Sequence, residues 1–237
     1  LVGSEMCIRD RRLAGEAVEP GVSTLEIDRI VRKYIEEQGA TPSFLGYGGF
    51  PASACISVNN VVIHGIPSKS KILKQGDIVS IDVGACLQGY HGDNAWTFPC
   101  GKVSEEAQKL MDVTKQSFFE GIKLAVPGNH LFDISEAIQK YVESNGYSVV
   151  RDLVGHGIGT HLHEDPQIPN FKQRRKGMKL RPGMTLAIEP MVNEGSYDVV
   201  WLDDDWTVVT EDGSLAAHYE NTIVITEDGC EILTLSE

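Results

Sequence analysis

The alternation of apolar and polar positions runs through the chain twice. Leu25, Ile27, Ile30, Val31, Tyr34 and Ile35 recur at helical spacing, as do Phe132, Ile134, Ile138, Tyr141 and Val142, which predicts two amphipathic helices. A shift of 107 residues lays one on the other: Pro20-Gly21 falls on Pro127-Gly128, and 20–39 and 127–146 share seven identities in twenty positions. Each stretch ends at a glycine suited to a helix C-terminus, Gly39 or Gly146, and the first opens with a capping box, Ser23-Thr24-Leu25-Glu26. The same shift carries Gly76-Asp77-Ile78-Val79-Ser80-Ile81-Asp82 onto Gly183-Met184-Thr185-Leu186-Ala187-Ile188-Glu189, two apolar strand-like runs that each close on an acid. Further on, His91-Gly92-Asp93-Asn94 has a counterpart in His218-Tyr219-Glu220-Asn221, displaced by a longer insertion in the second half, so Asp93 matches Glu220. The pattern predicts an α+β fold, a helix-plus-antiparallel-hairpin unit used twice, with halves at about 11–120 and 121–237 related by a pseudo-two-fold axis. Such an axis brings Asp82, Asp93, Glu189 and Glu220 to the centre.

Composition narrows the classes. A chain of 237 residues with 41% hydrophobic positions is a single folded domain or two fused halves. With 34 acids against 21 bases and a net charge of -13, wrapping DNA by bulk charge is excluded. The local basic run Lys172-Gln173-Arg174-Arg175-Lys176 reads as a solvated loop, with docking to a ribosome as the alternative. No run reaches the roughly 18 apolar residues of a membrane span, and no secretory leader is recognisable. Five cysteines, odd in number and without a Cys-x-x-Cys pair, read as reduced thiols of a cytosolic protein. Residues 1–10 lack an initial methionine and fit no periodic pattern; they are expected to be a non-native leader, with the catalytic domain covering 11–237.

The acids are expected inside. Asp82 and Glu189 end runs apolar enough to be buried on at least one face. Leu87-Gln88-Gly89 supplies a turn between Asp82 and Asp93, and a hairpin with an even-numbered loop places both on one face. No lysine or arginine lies between Lys74 and Lys102, so desolvated anions there would cost several kcal/mol each unless a cation or protons neutralise them. A bound metal answers this better than a solvated hairpin face. The segment from Leu153 to Pro166 adds imidazoles, His156, His161 and His163, among glycines that permit close backbone approach; His64 shares with His156 the triplet His-Gly-Ile. Carboxylates with imidazole suit two divalent first-row ions, Mn, Fe, Co or Zn.

Taken in order, the motifs Thr41-Pro42-Ser43-Phe44-Leu45-Gly46-Tyr47, Val61-Val62-Ile63-His64-Gly65-Ile66-Pro67, Ile81-Asp82-Val83, His91-Gly92-Asp93, Gly155-His156-Gly157-Ile158-Gly159, His163-Glu164-Asp165-Pro166, Ile188-Glu189-Pro190-Met191 and Tyr219-Glu220-Asn221-Thr222 resemble the type I methionine aminopeptidases, metallopeptidases of the pita-bread fold. The resemblance implies that Asp82 holds one metal, that Asp93 and Glu220 bridge both, and that His156 and Glu189 complete the second. It implies that His64 contacts the substrate near its amino end, that His163 lies near the scissile carbonyl, and that Glu189 shuttles the proton of a water or hydroxide shared by the metals. It further implies a methionine pocket lined by Phe44, Tyr47, Phe50, Cys55 and Trp206, a peptide or nascent-chain N-terminus with a small second residue as substrate, and a monomer. Leu162 departs from the pattern, since similar enzymes often carry an aromatic there. Two rival readings remain at this stage: a proline-directed relative of aminopeptidase P or prolidase type, which usually has a sizeable extra N-terminal domain, and an adaptor for ribosome or RNA that has lost its metals. All five ligand positions carry the expected side chain, which argues against the adaptor.

Overall fold

The computed structural model describes residues 12–235; the expected leader and Cys7 lie outside the described residues. Residues 12–16 are helical, α1. The first predicted helix is α2, Thr24–Glu37, and the second, after α3 at Glu105–Ile122, is α4, Leu131–Ser144. Both ends of α2 and α4 are thus separated by the shift read from the sequence. Ser23 caps α2 by accepting from the Glu26 N–H at 3.2 Å, whereas α4 is capped in the opposite sense, the His130 N–H donating to Asp133 Oδ2 at 2.9 Å. The segments leading in match as well. Gly21 N–H donates to Leu73 O at 2.8 Å, and Gly128 N–H donates to Leu180 O at 3.1 Å.

Each helix backs a hairpin of one large antiparallel sheet. In the first half β1 (Thr41–Pro42) and β2 (Ala54–Val58) pair with β4 (Ile78–Leu87), and β4 pairs with β5 (Tyr90–Pro99) around the two-residue turn Gln88-Gly89. Both turn residues have positive φ, 54° and 83°, the geometry whose twist matches flanking strands. In the second half β9 (Thr185–Ile188) lies between β7 (Val154–Gly157) and β14 (Glu220–Ile225), with β8 (Glu164–Pro169) outside β7. The halves meet where β5 pairs with β14 through Glu220↔Ala95 and Asn221↔Asn94. α2 buries Ile27, Val31 and Ile35 against Val79, Ile81, Val83 and Ala85 of β4. α4 buries Ile134, Ile138 and Val142 with Leu110 and Phe118 of α3 against Leu186, Ile188, Ile223 and Ile225. α3 runs across the boundary expected near 120 and so binds the first half to the second.

The second hairpin is interrupted where the first is continuous. β9 stops at Ile188 and resumes as β10 (Met191–Asn193), and β13 (Ala216–His218) is separated from β14 at Tyr219. The insertion between them forms β11 (Val199–Trp201) and β12 (Val208–Thr210), and β12 crosses to the first half to pair with β3 (Val61–Ile63). One expectation needs correction. The ladder does not follow the motif match: Thr97 lies opposite Ser80 and Thr222 opposite Ala187, so the strand position equivalent to Asp93 is His218, two residues before Glu220. A slip of two keeps every side chain on its face, which is why the motif match still places both acids on the same side.

Candidate active site

Strand parity decides where the acids point. On β4 the residues flanking Asp82, Ile81 and Val83, face the helices, so Asp82 faces away. On β5 Trp96 and Phe98 pack on the helix side, and Asp93 and Ala95 take the other face. Leu186, Ile188, Ile223 and Ile225 all join the helical core, which turns Glu189 and Glu220 the same way as Asp82. Asp93, His156, Glu189, His218 and Glu220 are buried, and Oδ1 of Asp82 is sealed although that residue is half-buried.

Donor atoms of Asp93, His156 and Glu220 lie within 4.8 Å of one another, and so do those of Asp82, His218 and Glu220. His156 Nε2 stands 3.9 Å from Asp93 Oδ2 and 3.6 Å from Glu189 Oε1. These gaps exceed hydrogen-bond length but suit donors each about 2.1 Å from a common ion, which can be at most about 4.2 Å apart. The ring is already oriented, since His156 Nδ1 bonds Gly157 O at 2.9 Å and leaves Nε2 to face the acids. Burial pushes the carboxyls of Asp82, Asp93 and Glu189 above the ordinary range, and for Asp82 and Glu189 the Asp93 charge adds to it. Burial, then the neighbouring His163, lowers His156 to about 4, so its ring is neutral, as a ligand must be. Among the described residues no lysine or arginine lines the cavity, and none hydrogen-bonds Oδ1 of Asp82 or of Asp93. A set of buried, mutually repelling carboxylates and neutral imidazoles fits divalent metal ions.

The acids form the floor of a cavity of about 120 Å³ whose walls come from three distant stretches, Phe44 to Cys55, Leu162-His163 and Trp206. Phe50 meets Trp206 edge-on at 5.1 Å between ring centres, and Cys55 is buried beside them. Trp206 also faces His64 at 6.1 Å. His64 holds φ at 58°, a conformation costing a non-glycine residue about 1–2 kcal/mol, and this turns its ring off the end of β3 into the cavity. Burial lowers His64 to about 4 and also lowers His163, so both rings are neutral. Tyr47 is 45% exposed, and its hydroxyl meets His163 Nδ1 at 2.8 Å. It lines the cavity and, through its hydroxyl, orients His163. Leu162 does line the wall.

Every residue expected at the site lines this one cavity: Phe44, Tyr47, Phe50, Cys55, His64, Asp82, Asp93, His156, His163, Glu189, Trp206 and Glu220. His161 is not among the lining residues; its backbone N–H donates to Glu164 Oε1 at 2.8 Å in an exposed turn. The basic run lies apart, with Lys172 paired to Glu136 on α4. In the sequence His218 has only a place in the repeat; its approach to the acids follows from its position two residues before Glu220, which puts both side chains on one face of the strand. The glycines around the histidines are tight contacts: a Cβ on Gly65 would meet Ile56 O at 2.3 Å, on Gly155 Ala187 O at 2.4 Å, and on Gly157 Asp165 O at 2.3 Å.

A curled antiparallel sheet backed by helices, with buried carboxylates and imidazoles on its open face, defines a metal-dependent peptidase of the pita-bread type. Residues 5–227 match metallopeptidase family M24, and the chain belongs to that family. It is similar to the methionine aminopeptidase of Clostridium acetobutylicum, at 60% identity over 94% of this chain and 89% of that one. Methionine aminopeptidase 1 of Bacillus subtilis is 57% identical over 92% of this chain and 87% of its own. The crystal structure of the methionine aminopeptidase from Thermotoga maritima superposes with a TM-score of 0.97 at 46% identity, covering 99% of this chain and 94% of that chain.

Proposed function

We propose that this protein hydrolyses the first peptide bond of chains that begin with methionine. The observation that carries the reading is the meeting of a buried donor cage with an apolar-walled cavity in a chain 60% identical to a methionine aminopeptidase. Asp82, Asp93, His156, Glu189 and Glu220 would hold two divalent ions, with Co, Mn, Fe or Zn all suited to such donors. When bound, those ions make a water acidic enough to be deprotonated near neutral pH and polarise the scissile carbonyl.

The chain's own residues supply the rest. Glu189 lies 3.6 Å from His156 and takes the attacking water's proton, passing it to the departing amide nitrogen. The Tyr47 hydroxyl lies 2.8 Å from His163 Nδ1, and by donating there it would put the ring's proton on Nε2, the atom that can donate to the oxyanion. His64, neutral and held by backbone strain, hydrogen-bonds the peptide near its amino end. Phe44, Tyr47, Phe50, Cys55 and Trp206 receive the methionine side chain, and a small second residue fits beyond it. All the proposed site residues belong to one chain, so a monomer suffices.

The four described cysteines are free, and no described helix is long and apolar enough to cross a membrane; we place the reaction in the cytosol, on nascent-chain N-termini. The test is methionine release from Met-Ala-Ser by metal-stripped protein resupplied with cobalt or manganese, beside cleavage of an Xaa-Pro peptide. Metal-dependent release from Met-Ala-Ser supports the reading. Preference for the Xaa-Pro peptide, or no release with metal present, overturns it.

A further inference from the structure

We propose that His218 is a metal ligand, supplying an imidazole to the ion position formed by Asp82 and Glu220, so that each of the two positions has one nitrogen donor. The proposal rests on the metallopeptidase reading above and adds a sixth donor to it. His218 is 2% exposed, and its Nε2 is sealed without a hydrogen-bond partner among the described residues. Leaving a buried ring nitrogen unsatisfied costs about 1–3 kcal/mol, which a native core rarely retains without a use for the group.

The geometry repeats that of His156. His218 Nε2 stands 3.7 Å from Glu220 Oε2 and 4.0 Å from Glu189 Oε2, against 3.6 and 3.9 Å for His156 and its two carboxylates. Both rings are too far from the acids to hydrogen-bond them and close enough to share an ion with them. The donor atoms of Asp82, His218 and Glu220 lie within 4.8 Å of one another, the same criterion met by Asp93, His156 and Glu220.

The backbone gives an independent argument. Thr222 Oγ1 accepts from Asp93 N at 3.0 Å and donates to Asp93 O at 2.9 Å. Thr97 Oγ1 does the same to His218, accepting from its N–H and donating to its carbonyl, both at 2.9 Å. The two threonines are equivalent in the ladders of the two hairpins, so His218 is held where the second copy of the unit places its counterpart of Asp93. One copy presents a carboxylate from that position and the other an imidazole. A nitrogen donor at both ion positions favours Fe, Co, Ni or Zn over Mg or Mn.

The experiment uses the full chain, stripped of metal and loaded with two equivalents of Co(II), with proton NMR of the exchangeable, paramagnetically shifted imidazole N–H signals. Wild type is expected to show two such signals, His218→Gln to lose one, and His156→Gln to lose the other. Calorimetry is expected to show Co(II) binding at one site weakened at least about tenfold in His218→Gln, with a smaller loss for Mn(II). A single signal in wild type, lost in His156→Gln and kept in His218→Gln, overturns the proposal; metal-dependent methionine release by the same sample then leaves the enzyme reading standing. Unchanged Co(II) affinity in His218→Gln overturns it as well. The wild-type spectrum needs no variant to fold. Absence of both Co(II) uptake and methionine release in wild type overturns proposal and parent reading together.

Discussion

The two halves share a scaffold and differ in what interrupts it. In the first, β4 and β5 run unbroken for ten residues each, and the acids they present, Asp82 and Asp93, are short side chains on regular strands. In the second, the hairpin breaks at Glu189-Pro190 and at Tyr219, and the candidate donors are longer, Glu189, Glu220 and the imidazoles of His156 and His218. The regular half supplies fixed positions and the interrupted half supplies reach. The insertion made possible by the interruption also carries Trp206 across to His64 in the first half. A repeat of this kind keeps its backbone constant and changes its chemistry at the breaks.

The strongest way to break this comparison is to remove one donor from each half. Asp93→Ala and His156→Ala are both expected to lower methionine release by on the order of 10³-fold or more while circular dichroism keeps the native spectrum; a near-normal rate in either refutes its place in the cage. Next come the close backbone approaches. Gly155→Ala and Gly157→Ala drive a methyl group into carbonyl oxygens of β9 and β8, and each is expected to lose about 1–3 kcal/mol in denaturant unfolding.

The helices offer a sharper contrast. Asp28 on α2 accepts from Ser53 N at 2.8 Å and Ala54 N at 3.0 Å, whereas its repeat partner on α4 is Ser135, buried with its hydroxyl unpartnered. Asp28→Ala strands two backbone donors and is expected to cost about 1–3 kcal/mol; Ser135→Ala is expected to be neutral or slightly stabilising in the same assay. Smaller still is a pH effect. Because burial raises Asp82, Asp93 and Glu189 above their unfolded values, the metal-free fold keeps protons that the unfolded chain releases. That stabilisation is full below the ordinary carboxylate range and fades as pH rises, while metal affinity grows as the ligands ionise. The melting-temperature gap between loaded and stripped protein is therefore expected to widen from about pH 5 to about pH 8. Lys172→Ala, which removes only an exposed pair with Glu136, is expected to stay within about 0.5 kcal/mol of the parent.

Much of the scaffold was legible because helical periodicity and capping are local. α2 and α4 begin and end where the repeat predicted, and the turn at Gln88-Gly89 was readable from its residues. The hairpin register was not. Identities around His91 and His218 pointed one way and the ladder went another, because hydrogen bonding across a broken strand leaves no trace in residue types. The cavity walls were legible only through resemblance: Phe50, Leu162 and Trp206 are far apart in sequence, and no period connects them. Tyr47 lines that cavity, but the second use of its side chain, a hydroxyl 2.8 Å from His163 Nδ1, was not legible, because only the fold shows what a phenol reaches.

The two copies meet in the large sheet through two residue pairs, Glu220↔Ala95 and Asn221↔Asn94, with one threonine clamp on either side. Donors from both banks of that narrow join converge beside it. Ions seated there would act as rivets as well as reagents, making metal supply a control on how firmly the duplicated units stay closed.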